Sequence, residues 1–194
     1  VLYIRVAFPD QFTDPLPEKE AYDAMKAVND FFVENSHGHL HLLTTVTPLL
    51  VMPKPESWYK ANDTGNAFAI LTDARAVARA SGFDYAAYDL DAIRYNGASG
   101  TFTGQALIAA RGCWLKGSGV GTACHELGHN LGLWHANYWN TGGESTAGPG
   151  NNVEYGNAYD TMGVANAGSY FFNAGNQNRI RWLPDNNVAR VTGS

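Results

Sequence analysis

Apolar and polar positions along the chain change period several times, and each change marks an element. Residues 1–8, VLYIRVAF, are dense in β-branched and aromatic side chains and stop at Pro9, which reads as a strand followed by a polar turn. From Glu18 to Asn35 the apolar residues Ala21, Met25, Val28 and Phe32 recur at helical spacing, with Lys19, Lys26, Asp30 and Glu34 between them. This spacing predicts an amphipathic helix that stops near residues 36–38. Residues 39–47 alternate loosely, are rich in Leu, Thr and Val, and are expected to form a second strand closed by Pro48. Helical spacing returns over 66–81, with Gly82 placed as a C-terminal stop. The stretches YDLDAIRY (88–95) and QALIAARGCWL (105–115) then read as two more strands, separated by the turn-rich NGASGTFTG. Together these elements predict an α+β fold, a mixed β-sheet carrying two scaffold helices. Residues 136–170 show little periodicity and read as irregular, and FNAGNQNRIRWL near the end reads as a short helix.

Length and charge narrow the picture. A chain of 194 residues with 45% apolar content suits one compact domain. No internal repeat and no linker divides it. A net charge of −5 with scattered Lys and Arg offers no basic patch, so nucleic acid is not an expected partner. No apolar run reaches the roughly 18 residues that cross a bilayer, and no membrane partner is expected. A monomer is expected. The first residues read as a strand, so a signal or pro-segment would have been removed or would lie outside this sequence. Abundant Gly, Asn, Tyr and Trp with only five Lys resemble a secreted bacterial hydrolase, and secretion is the expectation.

The six histidines fall into two trios. In HELGHNLGLWH, His125 and His129 stand four residues apart, one helical turn on the same face, so both imidazoles can reach one ion. Glu126, next to the first, can sit beside an open coordination position and take a proton from water there. Continuing the helix to His135 would turn that side chain roughly 120° away, so the helix must end between them. Gly132 is the residue that can turn the chain there and bring His135 back. Three neutral nitrogen donors with one open position suit a catalytic Zn2+. Leu127, Leu131 and Leu133 would pack this unit against the sheet.

His125, Glu126, His129, Gly132 and His135 match the long zinc-binding consensus of the metzincin metalloendopeptidases, and AYDTMG supplies Met162 where that family has a methionine turn beneath the metal. VAFPD, FFVENSHGHLHL and YFFNAGNQNRIRWL are similar to the gametolysin-like group, and also to the immune-inhibitor-A group, whose third ligand is usually Asp. His135 favours the first. The resemblance implies one catalytic domain over 1–194, with an N-terminal subdomain to about 135 and a small irregular C-terminal subdomain from about 136. It implies zinc held by His125, His129 and His135, Glu126 as the catalytic base, Gly132 and Met162 as structural support, and a protein or peptide substrate. QALIAAR would be the edge strand along the cleft. Many relatives carry a tyrosine two residues after the turn methionine, where this chain has Val164, so Tyr155, Tyr159 and Tyr170 become the candidates for that part. The chemistry leaves two alternatives: a zinc amidase acting on cell-wall or glycan-linked peptides, and a non-proteolytic module stabilised by zinc. Substrate-binding side chains are not legible.

SHGHLH places His37, His39 and His41 at strand spacing, but without an adjacent base the trio reads as part of the helix-to-strand junction. Asp84, Asp89 and Asp91 lack the spacing of a calcium loop and read as a solvated acidic turn. Cys113 and Cys124, separated by ten residues, are expected to form a disulfide.

Overall fold

The structure, a computed structural model, describes residues 1–62, 67–97, 102–117, 119–143, 145, 148–163 and 170–189. In chain order the elements are β1 (Leu2–Ala7), α1 (Glu18–Asn35), β2 (Thr45–Val46), β3 (Leu50–Val51), α2 (Glu56–Asn62), α3 (Phe68–Ala80), β4 (Asp91–Arg94), β5 (Gly104–Ala106), β6 (Cys113–Leu115), α4 (Val120–Asn130), β7 (Tyr138–Asn140), β8 (Asn151–Val153) and α5 (Ala174–Arg179). The main sheet runs β2-β1-β4-β6-β5, with β3 also pairing with β1. All its pairings are parallel except β5 with β6. The mixed sheet expected from the sequence is therefore present and mostly parallel.

Alternation along β1 explains the layers. Val1 and Tyr3 join the core formed with Met25, Val28 and Phe32 of α1 and Cys124 and Leu127 of α4. Leu2, Ile4, Val6 and Phe8 join the opposite core with Tyr59 of α2 and Ile70, Leu71 and Ala74 of α3. Both faces of the sheet are thus covered, which is why every position of β1 is buried and all but Arg5 are apolar or aromatic. Each fully buried Leu, Ile or Phe contributes about 1.5–3 kcal/mol, so α1 is held by its packed face although Pro17 gives it no side-chain cap. Arg5 and Arg94 are buried on the α1 side, and each is tied to the loop that precedes α1. Arg5 Nε donates to the Leu16 carbonyl at 2.7 Å and Arg94 Nη2 to that of Pro15 at 2.9 Å.

Several expectations are corrected. Residues 39–44 are not a strand, because the backbone donors of Leu40 and Leu42 go to side chains of the α1 region. Leu40 N–H reaches Ser36 Oγ at 2.8 Å and Leu42 N–H reaches Asn29 Oδ1 at 2.7 Å. Residues 105–115 are a hairpin rather than one strand. The chain reverses where Ala109 (φ 54°) and Gly112 (φ 114°) take left-handed conformations, and the Leu107 N–H closes on the Gly112 carbonyl at 3.0 Å. Helix α2 lies in a Pro-rich stretch that gave no helical signal, and Asp10, 46 residues away, accepts from the Glu56 N–H at 2.6 Å to cap it. The stretch expected to be irregular contains the antiparallel pair β7–β8. Cys113 and Cys124 are free, buried thiols. Each packs as a small apolar side chain between sheet and α4, and burial pushes the Cys124 thiol up to about 12. Asp91 is fully buried and not part of a solvated turn: its carboxylate takes both Arg75 Nε and Nη2 at 2.8 Å.

Candidate metal centre

Helix α4 is buried along most of its length between α1 and the β5–β6 hairpin. Asn130 at its end fixes that hairpin, its Nδ2 donating to the carbonyls of Leu107 at 2.9 Å and Gly112 at 3.1 Å. Past Leu131 the helix closes with two backward bonds, Gly132 N–H to His129 O at 2.8 Å and Leu133 N–H to Gly128 O at 3.1 Å. Gly132 sits at φ 97°, a conformation that glycine adopts without steric cost. Leu133 is then buried in the core and His135 swings back towards the helix.

The result is one cluster. One ring nitrogen each from His125, His129 and His135 lies within 4.8 Å of the others, and among the described residues no other group of three such side chains does so. Each Nδ1 already has a partner: the Thr161 carbonyl for His125 at 2.8 Å, the Leu133 carbonyl for His129 at 2.8 Å, and Glu154 Oε1 for His135 at 2.7 Å. These acceptors hold the proton on Nδ1 and leave every Nε2 lone pair free to face one point. Burial lowers the pKa of His125 and takes that of His129 to about 4, so both rings are neutral near neutral pH. Three imidazoles with their second nitrogens already engaged suit zinc.

Glu126 is 5% exposed, and burial raises its carboxyl to about 8. A divalent cation beside it would favour the ionised form and act against that shift. Its space is kept open by Gly104 of β5, where a methyl group would come within 2.5 Å of Glu126 Oε1. Below the histidines, Met162 is fully buried against α4, and a methyl group on Gly128 would approach its Sδ to 2.6 Å. Buried Asp160 holds this turn: its carboxylate accepts the Met162 N–H at 2.6 Å and the Asn173 N–H at 2.8 Å.

The histidines and Glu126 line an open cleft of about 390 Å³, together with Gly104, Gln105, Ala106 and Ile108 on the β5 side and Trp134, Glu154 and Tyr155 on the other. A further lobe of about 410 Å³ continues past Glu126 towards Thr103 and Thr122. Among the described residues β5 is the last strand of the sheet, as expected of the edge along the cleft. Of the three tyrosines, only Tyr155 lines these cavities; Tyr159 and Tyr170 meet edge to face elsewhere, with centroids 6.1 Å apart. Val164 lies outside the described residues. His37, His39 and His41 are exposed and take no part in the cluster. Gly104, Asn130, Glu154 and Asp160 gave no signal in the sequence, Gly104 being read only as the end of the turn-rich stretch before the strand.

No protein-family model and no curated protein sequence matches the chain. Among solved structures, archaemetzincin from Methanopyrus kandleri superposes over 93% of this chain and 92% of its own, with a TM-score of 0.51 and 15% identity. The fold is archaemetzincin-like. A structure described as a chaperone-substrate complex is similar over 90% of this chain and 28% of that one, at 20% identity and a TM-score of 0.47. The archaemetzincin-like fold agrees with the metzincin-like architecture expected from the histidine motif, and the cluster of three histidines stands within it as a group that could hold zinc.

Proposed function

We propose that the chain is a zinc-dependent endopeptidase, with His125, His129 and His135 holding the ion and Glu126 moving the proton. The observation that carries this reading is the meeting of three oriented ring nitrogens with one buried carboxylate on the floor of an open cleft. Zinc, when bound there, supplies positive charge that acidifies water and polarises a carbonyl. Glu126 accepts the proton of the attacking water on a carboxylate oxygen and delivers it to the leaving amine. The outer edge of β5 offers backbone groups to which an extended peptide can add as another strand, setting the scissile bond over Glu126. Tyr155 is the tyrosine placed to donate to the developing oxyanion. His135 as the third donor supports the gametolysin-like group over the immune-inhibitor-A group.

Glu126→Gln tests the proposal, since it keeps shape and removes the base. Zinc content is expected to match the parent, while kcat on an unfolded protein substrate falls by about 10⁴ or more. Cleavage within about tenfold of the parent would remove Glu126 from this role. A parent that binds zinc but cleaves no protein would favour the amidase or the zinc-stabilised module.

A further inference from the structure

His125 and His129 are fixed by the helix that carries them, and each leans on a backbone carbonyl. His135 has no such support, since it stands in the extended segment after the helix has ended. Its ring is held from two directions by consecutive residues that leave β8. Glu154 Oε1 accepts from Nδ1 at 2.7 Å, and the Tyr155 ring lies against the imidazole, centroids 3.7 Å apart and planes 31° from parallel. In an extended strand neighbouring side chains point to opposite faces, so the two could not both reach His135. The left-handed conformation of Tyr155, at φ 60°, redirects the chain and lets them do so. Residues with a β-carbon seldom adopt that conformation, and here it is pinned by the Tyr155 N–H on Asn137 Oδ1 at 3.1 Å. Asn137 lies two residues beyond His135, and the Asn157 N–H closes the arrangement on the Ala136 carbonyl at 3.1 Å.

Resting on the metal centre proposed above, we infer that Glu154 and Tyr155 are positioning residues that hold His135 as third ligand, so that the β7–β8 hairpin sets how tightly the ion is held. A carboxylate acceptor raises the basicity of the free ring nitrogen more than a carbonyl does, and the stacked ring removes rotation of the imidazole. Neither residue need touch the ion. Both are partly exposed, with the Glu154 side chain 65% accessible, so substituting them does not empty the core.

The test is zinc affinity, by competition with a chromophoric chelator near neutral pH, together with the visible spectrum of the cobalt-loaded protein. Glu154→Ala is expected to bind zinc about 10- to 100-fold more weakly and to shift the cobalt spectrum, while Glu154→Gln, which keeps an acceptor oxygen, recovers part of the loss. Tyr155→Ala should also weaken binding, and Tyr155→Phe, which keeps the ring, should hold zinc as the parent does. The metal-free melting temperature is expected to stay at the parent value in all four. If Glu154→Ala and Tyr155→Ala both bound zinc within about threefold of a tight-binding parent, the inference would fall and the metal centre would stand. A parent that took up no zinc would overturn both. Loss of affinity matched by loss of metal-free stability would reassign the two residues to general folding.

Discussion

Gly104 matters for what it lacks. A β-carbon there would meet Glu126 Oε1 at 2.5 Å, Glu126 Cγ at 2.8 Å and Thr122 Cγ2 at 2.6 Å, and α4, packed on both sides, leaves these atoms little room to retreat. Gly104→Ala is expected to keep the fold at a cost of about 1–3 kcal/mol, keep zinc, and lower kcat at least about tenfold by displacing the carboxylate. Parallel zinc analysis and steady-state kinetics would check it; unchanged kcat would mean that Glu126 tolerates the shift. At this scale the sequence was informative only where the chemistry is local. His125, Glu126, His129, Gly132 and His135 lie within eleven residues and announce one another. Glu154 reaches His135 across 19 positions and Gly104 lies 22 positions before Glu126, so no periodicity connects them.

Among the elements, the end of α4 is the decisive one. Helix α1 ends with the same pair of backward bonds, His37 N–H to Glu34 O at 3.2 Å and Gly38 N–H to Val33 O at 2.8 Å, with His37 at φ 54° in the place Gly132 occupies. A side chain is therefore tolerated at such a position, at a cost of about 1–2 kcal/mol. Gly132→Ala should pay that cost in urea melts and weaken zinc binding through His135, and Gly132→Asn should lose less, because Asn enters the left-handed region more readily. Equal zinc affinity in all three proteins would detach the turn from the metal. The comparison also explains SHGHLH, whose alternation is real but starts at a helix end and runs into a segment bonded to side chains. Long amphipathic elements were legible, α1 to the residue, because burial repeats along them. Strands of two or three residues carry no period, and α2 is capped from a distant loop.

Across the molecule, Asp160 joins parts that are far apart in sequence. Besides the N–H groups of Met162 and Asn173 it takes Asn176 Nδ2 at 2.9 Å, so the turn beneath the histidines and the start of α5 hang from one buried carboxylate. Asn35, the last residue of α1, accepts the Phe172 N–H at 2.9 Å and anchors the same segment from the other side. Asp160→Ala leaves three donors without their acceptor and is expected to lower stability by about 3 kcal/mol or more in equilibrium denaturation. A loss below about 1 kcal/mol would show that water takes the carboxylate's place. The open edge of β5 has a different kind of consequence. Backbone pairing along an edge does not distinguish a foreign chain from an unfolded copy of the same one. With the proposed activity, a solution held near its melting point would contain enzyme and substrate in a single preparation, each molecule being one or the other by turns. Inactivation would then depend on protein concentration and run fastest mid-transition, where both forms are plentiful, and an active-site knockout would melt reversibly under conditions in which the parent digests itself.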